Sequence, residues 1–558
     1  MPEQNGRYRA PQPVTLAAGW TLERLTPPSR LFGANGVRTG PDGRIYVAQV
    51  SGSQISAVDV ATGRVETISP LGGDIVAPDE LVFDPEGNLY ATEITEGRVS
   101  VRTPDGKVRV VYGDLPCANP ITFHRGRLFA GECRHEGRIV ELSLDGGPPR
   151  VLVDKVPMPN AMEVGPDGML YFPVMEANEI WRVGLDGGQP EKVAGDLGVP
   201  DAVKFDARGR IVSTQAASGQ VLRIDPRTGE RTVLADIAPG LDNLTFVGER
   251  LFVSSFSGQI SEILGDGAVR PLLPAGLNGP LGLAMGDDGV LFVGDGPYCY
   301  SLAPGGALRV AGMLFTPGSP GYTRGIAAAG AGEYVVTTSS GQVARWRPAR
   351  QQSEVLAQGF DRLYGVAVAR GGAVAFADAG TGRLLSVASG RVDLLAGGLR
   401  EPKGVALADD GACLVAEEEG GARGEHFARW RRDGAGRPAA TAGDPAARGN
   451  ALRRRRGREG AARIRHGAQG TPHHCRGPAG RCTRGCHAEV PATLPAALGL
   501  DGAVRGHRGR QRRHAVPVRR RRGQRARAPS RVRAVATAGR SGAVRAGLPA
   551  GAWTACCR

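Results

Sequence analysis

The sequence contains little that would support a helical, membrane-spanning or disulfide-rich protein. Helix-type periodicity is scarce, and no apolar run approaches the roughly 18 residues that a membrane-spanning helix needs. The first twenty residues lack a basic start followed by an apolar run, so we expect no signal peptide. Four scattered cysteines precede residue 431 and indicate no disulfide framework: Cys117, Cys133, Cys299 and Cys413. We therefore expect no membrane partner and a reducing, cytoplasmic location.

Lysine, tyrosine and phenylalanine are absent from residues 431–558, whereas arginine is abundant there. This segment holds 30 Arg and 5 acidic residues, so it carries +25 and leaves −10 on residues 1–430 of a chain whose net charge is +15. The basic charge thus belongs to the tail, and no nucleic-acid partner follows from it. Because so few apolar residues cannot offset the chain entropy, we predict that 421–558 is a disordered Arg/Ala/Gly-rich tail.

Residues 506–527 (GHRGRQRRHAVPVRRRRGQRAR) support a hypothesis about the origin of this tail. Reading the codons of a GC-rich gene one base later, with the free bases chosen, can give AIAVGSDGTLYLSGDGEGSVLA, which has the strand and turn pattern found earlier in the chain. We hypothesise a frameshift between residues 418 and 450, so that 421–558 is a frameshift product. The restored frame has room for two further repeat units, making twelve units or two six-bladed rings. Resequencing the locus tests this, and a confirmed unbroken frame would contradict it.

Glycine is plentiful, with 84 residues, and a repeat of about forty residues organises the chain. Each unit begins with a strand, a tight turn and a second strand, as in residues 160–171 (NAMEVGPDGMLY). Six clear units begin at residues 35, 79, 119, 160, 201 and 242, and four weaker ones at 281, 324, 364 and 403. Four antiparallel strands per unit is one blade of a β-propeller. We predict an all-β fold with a flexible arm at 1–18, a six-bladed ring at 19–270 and an incomplete second array of about four blades at 271–420. We also expect residues 19–31 to add an edge strand to the ring.

The first residue of each unit separates the two arrays. The first six units begin with Asn35, Asp79, Asn119, Asn160, Asp201 and Asp242, whereas the next four begin with Leu281, Arg324, Tyr364 and Lys403. Equivalent positions in six blades converge at one mouth of the central channel. Six oxygen-bearing side chains facing one point can bind a hard cation, and carboxylates among them can activate water. We predict a divalent-metal site in the first ring only, at a solvated mouth.

A plainer interpretation of the same positions remains open, since Asn and Asp are also favoured in loops that precede strands. The far ends of the second strands should rise to the same mouth and add polar groups there. We therefore predict that Glu93 and Glu132, with His135 in the following loop, contact the substrate. Exposed strand ends are the alternative interpretation of these three residues.

Two motifs carry a resemblance to a known superfamily. Residues 159–171 (PNAMEVGPDGMLY) and 200–211 (PDAVKFDARGRI) resemble the senescence-marker-protein, gluconolactonase and luciferin-regenerating-enzyme superfamily. The resemblance covers residues 30–270 well and 270–420 as repeats only. It implies a six-bladed propeller with one divalent metal, often Ca²⁺ or Zn²⁺, and hydrolysis of lactones or other esters. The units also resemble NHL repeats and streptogramin lyase repeats, the latter in GNLYATE at 87–93.

The resemblance also implies roles for individual residues. Asn160 matches a metal-binding Asn of the superfamily, and Asp201 matches a metal-binding Asp that handles the proton of the attacking water. Asn119 matches a substrate-contacting Asn. The first blade departs from the pattern, because Asn35-Gly36-Val37 stands where the superfamily usually has a Glu ligand.

We thus predict a metal-dependent hydrolase of a lactone or ester that acts on a small-molecule substrate. Asp201 is its predicted catalytic residue, and Asn119, Glu93, Glu132 and His135 are its predicted substrate contacts. The predicted metal ligands are Asn35, Asp79, Asn160, Asp201 and Asp242, with Ca²⁺ as the first choice and Zn²⁺ or Mn²⁺ as alternatives. The alternative functions are a non-catalytic NHL-like propeller that binds a protein or small molecule, and a streptogramin-lyase-like C–O lyase.

Overall fold

The computed structural model describes residues 14–26, 29–408 and 411–418, together with the backbone of 427–432 and 438–440. Within these residues the chain forms ten four-stranded antiparallel sheets and no α-helix. In every sheet the four strands follow one another in chain order, so each sheet is one blade. This confirms the predicted all-β propeller architecture. Two strands, Phe427–Arg432 and Pro438–Ala440, lie inside the predicted tail at 421–558, so the prediction of disorder is wrong there, because these segments pair with the last blade. The rest of that tail, the frameshift hypothesis and most of the N-terminal arm lie outside the described residues.

The six blades of the ring contain strands β1 to β24. Blade 1 consists of β1 (Val37–Thr39), β2 (Ile45–Gln49), β3 (Gln54–Val58) and β4 (Val65–Ser69), and blade 2 of β5 (Pro78–Phe83), β6 (Leu89–Glu93), β7 (Arg98–Arg102) and β8 (Val108–Tyr112). Blade 3 consists of β9 (Ala118–His124), β10 (Arg127–Glu132), β11 (Gly137–Leu142) and β12 (Arg150–Val156), and blade 4 of β13 (Glu163–Val164), β14 (Met169–Val174), β15 (Glu179–Gly184) and β16 (Glu191–Ala194). Blade 5 consists of β17 (Pro200–Phe205), β18 (Ile211–Gln215), β19 (Gln220–Ile224) and β20 (Arg231–Asp236), and blade 6 of β21 (Leu241–Val247), β22 (Arg250–Ser255), β23 (Ile260–Ile263) and β24 (Val269–Leu273).

Four further blades follow and are called the array here. Blade 7 consists of β25 (Gly282–Met285), β26 (Leu291–Asp295), β27 (Tyr298–Leu302) and β28 (Leu308–Met313), and blade 8 of β29 (Thr323–Gly330), β30 (Glu333–Thr338), β31 (Gln342–Arg347) and β32 (Gln352–Gln358). Blade 9 consists of β33 (Leu363–Val368), β34 (Val374–Asp378), β35 (Arg383–Ala388) and β36 (Arg391–Gly397), and blade 10 of β37 (Pro402–Leu407), β38 (Cys413–Glu417), β39 (Phe427–Arg432) and β40 (Pro438–Ala440). Short 3₁₀ turns lie at Met175–Ala177 and Pro348–Arg350.

The local sequence explains the hairpins that open the blades. In blade 4 the Gly168 N–H donates to the Gly165 carbonyl at 2.9 Å, which closes the turn between β13 and β14. Gly168 has φ +78°, a conformation that glycine adopts without a steric penalty. The following strand, β14, is buried along most of its length because neighbouring blades cover both of its faces. The same arrangement recurs in the other blades and places the core between successive sheets.

The ring closes without help from the N-terminal segment. The innermost strand of blade 6, β21, packs against that of blade 1, β1, and each of these blades already has four consecutive strands. The predicted edge strand at 19–31 is therefore wrong for the described part of that segment, which holds no strand. Trp20, Leu22 and Leu25 there are largely exposed.

The array packs on the ring through an apolar cluster that we call the joint. From the ring it includes Cys133, Met158, Met175, Val199 and Ala216, and from blade 7 it includes Tyr298, Tyr300, Met313, Leu314 and Phe315. Hydrogen bonds add to this packing, since the Gly33 N–H donates to Asn278 Oδ1 at 2.9 Å and Tyr298 Oη lies 3.2 Å from Ser255 Oγ. The ring and the array belong to one compact unit.

Two sequence-based expectations concern the environment of the protein. No helix among the described residues is long and apolar enough to cross a membrane. Cys133, Cys299 and Cys413 are buried, whereas Cys117 is disulfide-bonded, so the reduced state expected of the scattered cysteines is wrong at that position. The predicted cytoplasmic location stays a prediction.

Candidate functional site

The three aspartates that open repeat units are turned into the channel by irregularities in the innermost strands. The pairing of β5 with β6 shifts register between Pro78 and Leu81, where Asp79 lies. The same shift occurs around Asp201 in β17 and around Asp242 in β21. Such β-bulges redirect side chains and are common beside functional sites. The positions of these aspartates could be predicted from the repeat. The bulges that orient their side chains could not, because they have no clear sequence signal.

Six side chains, called the mouth residues here, lie in a circle at one end of the channel, and hydrogen bonds join them in two groups. The Asn35 amide donates to Asp242 at 3.1 Å, and the Asn160 amide donates to Asp201 at 3.0 Å. The Asn119 amide donates to Asp79 at 3.2 Å and to Asn160 at 2.8 Å. An amide of the circle thus bonds to each carboxylate. Asp201 and Asp242 stand next to each other without an amide between them, and Asp201 Oδ2 and Asn119 Oδ1 are buried without a hydrogen-bond partner.

The mouth residues are buried, with exposures between 1% for Asp201 and 9% for Asn35. This overturns the expectation of a solvated mouth, and the reason is that the array covers it. Burial, followed by the charge of Glu80, raises the pKa of Asp79 to about 7. Burial also raises the pKa values of Asp201 and Asp242 well above their usual range, and the neighbouring carboxylates add to this effect. Ionisation of these three carboxyl groups is therefore disfavoured in the metal-free protein, and a bound cation would favour their charged form.

A cavity of about 540 Å³ lies between the mouth and the array. Its ring wall includes Asn35, Asp79, Asn160 and Asp242, while Asn119 and Asp201 are in the circle but do not line the cavity. Its sides are largely apolar, with Phe32, Ile94, Phe256, Leu314 and Phe315. A volume of this size and an apolar lining with a few convergent polar groups are typical of small-molecule sites.

The opposite wall of the cavity comes from the array. It includes Leu281, Arg324 and Tyr364, which open units of the second array just as the mouth residues open units of the first. The Arg324 guanidinium lies over the Tyr364 ring at 4.9 Å, and Lys403 Nζ lies 3.7 Å from the centre of the same ring. Sequence reasoning identified these positions and predicted that no metal binds there, but it did not predict that they face the mouth across a shared cavity.

The structure places the predicted substrate contacts outside this cavity. Glu93 is fully buried and accepts hydrogen bonds from the Val76 N–H, Ser100 and Arg98. Its carboxylate therefore holds blade 2 to the loop before it. As a substrate contact, Glu93 gains no support from these bonds.

Glu132 and His135 lie in blade 3, also away from the cavity lining. Glu132 is fully buried and accepts hydrogen bonds from Arg134 and Arg138. His135 is exposed and lies 2.8 Å from Glu176, which raises the pKa of the imidazole. The expectation that strand ends rise to the mouth fails geometrically, because these side chains turn into the blades or outward to solvent.

A second polar cluster lies deeper in the channel. Glu80 accepts a hydrogen bond from Asn243 at 3.1 Å and lies 3.6 Å from Lys204 Nζ. Glu163 pairs with Arg38 at 2.7 Å and with Lys204 at 3.3 Å. Burial opposes the ionisation of Glu163, but these two cations outweigh it and lower its pKa to about 2. Opposite charges thus compensate each other here, unlike at the mouth.

The described residues contain no group of three or more His, Cys, Asp or Glu side chains ready to hold a metal ion. Half of the mouth residues are Asn, and one of their amides donates a hydrogen bond to each carboxylate. The donor set still fits a hard cation, since it is all oxygen once the amides turn. Two oxygens are buried without a hydrogen-bond partner, on Asp201 and Asn119, and both would be able to serve as ligands of such an ion.

Comparison with solved structures finds β-propellers of the kinds named by the resemblance. A streptogramin B lyase is 21% identical over 48% of this chain and 92% of that chain, with a TM-score of 0.37. A gluconolactonase from Xanthomonas campestris is 17% identical over 44% and 87%, with a TM-score of 0.37. Regucalcin from Agrobacterium tumefaciens, a calcium-binding protein, is 21% identical over 40% and 82%, with a TM-score of 0.34.

No protein-family model matches the chain, and no curated protein matches it. At the identities and TM-scores of the three solved structures, the likeness assigns neither a family nor an activity to this chain. Any activity must therefore be argued from the geometry of the mouth and its cavity.

Proposed function

We propose that the protein is a metal-dependent hydrolase of a lactone or other ester, with its reaction centre at the mouth of the ring. The observation that carries this proposal is the burial of three carboxylates and three carboxamides in one circle, four of them lining a cavity of about 540 Å³. Turn residues that served only their own backbone would not need to converge on one another across six blades.

Asn35, Asp79, Asn160, Asp201 and Asp242 would hold the divalent cation, with Ca²⁺ favoured by the hard oxygen donors. A bound divalent cation polarises a carbonyl and lowers the pKa of bound water. Asp201 is our choice for the general base, because its Oδ2 is buried and has no hydrogen-bond partner. Asn119 holds Asp79 in place by its amide, and its own unpartnered Oδ1 can accept a hydrogen bond.

The other residues of the cavity serve binding and exclusion of water. Asp79 and Asp242 face the cavity directly and so stand closest to a bound substrate. Phe32, Phe256 and Phe315 form apolar sides, which strengthen electrostatic interactions at the mouth by excluding solvent. A small lactone or aryl ester matches a cavity of this size.

The two alternative functions find less support at this site. The array covers the mouth through the joint, which leaves a small molecule as the better match than a macromolecular partner of the NHL kind. A lyase with a catalytic histidine is disfavoured because no histidine lines the described cavity.

The test combines metal analysis, thermal shift and a substrate panel. We expect purified protein to carry a divalent metal and to melt higher with added Ca²⁺, Mn²⁺ or Zn²⁺ than in EDTA, since a ligand that binds only the folded state stabilises it. We also expect hydrolysis of at least one compound in a panel of lactones and aryl esters. Asp201→Ala and Asn160→Ala should lose both properties, whereas Lys403→Ala, in the array, should keep both. Full metal affinity in Asp201→Ala would contradict the proposal and leave a non-catalytic binding site.

A further inference from the structure

We propose that the cavity selects esters and lactones that carry a carboxylate, and that Arg324 in the array binds this carboxylate. This inference rests on the proposed function of the mouth, because it concerns the far end of the same substrate. It makes the array a specificity element of the site rather than a separate module.

Arg324 is a cation without a protein counter-ion. It lines the cavity, its Nη1 is buried without a hydrogen-bond partner, and no ion pair is formed by it among the described residues. A bulge shifts the register of β29 between Thr323 and Gly325 and so turns the Arg324 side chain out of the regular strand. An uncompensated guanidinium is costly to bury, and a carboxylate satisfies it with paired, charge-assisted hydrogen bonds.

The packing of Arg324 against Tyr364 orients its guanidinium group. The Tyr364 ring lies beneath its guanidinium at 4.9 Å, and Lys403 Nζ lies 3.7 Å from the centre of the same ring. Lys403 already has a carboxylate partner in Glu418, at 3.0 Å, and it does not line the cavity. Of the two cations stacked on Tyr364, only Arg324 presents an unfilled charge to the cavity.

The two walls of the cavity dictate the orientation of such a substrate. Arg324 on the array wall attracts a carboxylate, which leaves the ester carbonyl to reach the ring wall, where Asp79 and Asp242 would hold the cation. The anionic end therefore points to the array. Asp295 also lines the cavity, and its carboxylate accepts hydrogen bonds from the Asn278 and Gly279 N–H groups. Between the two walls, Phe256, Leu314 and Phe315 provide contact for an apolar body.

The experiment compares the binding of two probes of the same shape, 3-phenylpropionate and 3-phenylpropionamide, by calorimetry on the full chain at pH 8. We expect the wild type to prefer the carboxylate by at least about tenfold, the ratio typical of one charge-assisted hydrogen-bonded pair. Arg324→Gln should reduce this preference to about twofold or less. Arg324→Lys should give an intermediate value, because lysine keeps the positive charge but lacks the planar guanidinium that forms two parallel hydrogen bonds with a carboxylate.

Lys403→Gln is the matched control, since it removes a cation from the same stack without changing the cavity wall, and it should retain the tenfold preference. The binding ratio of the two probes does not require hydrolysis, so a failure of the proposed hydrolysis and a failure of this inference give different results. Equal binding of both probes by the wild type, binding of neither, or an unchanged preference in Arg324→Gln would overturn the inference. If Arg324→Gln does not fold, the wild type and Arg324→Lys decide the outcome by the same ratio.

Discussion

At the scale of single residues, the mouth buries three carboxyl groups in one place, and this has a cost in stability at a pH where the unfolded chain ionises them. Asp201 is buried beside Asp242, and its pKa is raised because burial and neighbouring carboxylates disfavour its ionised form. A raised carboxyl pKa gives stability that is fully present below the unfolded value, near 3.8, and is lost as the pH rises through the folded value. The metal-free protein should therefore have a lower free energy of unfolding at pH 8 than it would have without this group.

We predict that Asp201→Asn stabilises the metal-free protein at pH 8, by about 1 kcal/mol or more, because it removes this buried charge. The advantage should shrink as the pH falls towards 4. Urea unfolding in EDTA at both pH values measures it. Asp206→Asn is the opposite control, because backbone and side-chain hydrogen bonds from Arg210 overcome the effect of burial and lower the pKa of Asp206. A variant at Asp201 that is less stable at pH 8 than the wild type would contradict the prediction.

The sequence predicted the mouth residues but not their environment. Their positions followed from the period, since equivalent residues of six blades must meet at one end of a channel. Their burial did not follow, because a repeat describes contacts between neighbouring blades and says nothing about how a second array packs on the first. Glu93 and Glu132 failed for a related reason: Arg98 and Arg138 draw their side chains into the blades, and no strand pattern reveals such pairs.

At the scale of elements, one glycine lets blade 7 approach the ring. Gly240, just before β21, has φ +101°, and a Cβ added there would lie 1.8 Å from Tyr298 Oη in β27. Both the backbone conformation and the space therefore require glycine. Tyr298 uses this approach to contact Ser255 Oγ at 3.2 Å.

We predict that Gly240→Ala lowers the melting temperature by more than the strain of a positive φ alone can explain. Gly248→Ala is the matched control, because Gly248 also has positive φ, +62°, yet nothing lies within 4 Å of its added Cβ. The control should cost about 1–3 kcal/mol from backbone strain, and Gly240→Ala should cost clearly more. Equal losses in differential scanning calorimetry would show that Tyr298 does not press on Gly240.

At the scale of the whole molecule, the joint links the ring and the array, which the sequence distinguishes by the first residues of their units. Strands end at Leu273 and resume at Gly282, and the boundary between ring and array near residue 270 stays a prediction. The array extends further than residue 420, because β39 and β40 complete blade 10. These two strands could not be predicted, since the composition of residues 421–558 indicates an Arg/Ala/Gly-rich tail.

We predict that the wild type unfolds in one calorimetric transition and that Met313→Asp splits it into two. Met313 is fully buried in the joint, and a charge placed there without a partner weakens the docking of the array more than the blades themselves. Val392→Asp is the control, because Val392 is exposed on β36 and the substitution should leave one transition. Two transitions in the wild type would mean that the joint does not couple ring and array.

The cavity has one wall from each of the two bodies that meet at the joint. A molecule that touches both walls binds the docked arrangement more tightly than it could bind either body alone, so its presence strengthens the docking by the same factor by which docking strengthens its binding. The affinity for the ligand and the stability of the docked arrangement are then linked, so that a gain in one is a gain in the other. A substitution that weakens the joint should weaken ligand binding even where every side chain that contacts the ligand is intact. Conversely, a ligand that contacts both walls should stabilise the docked arrangement in such a variant.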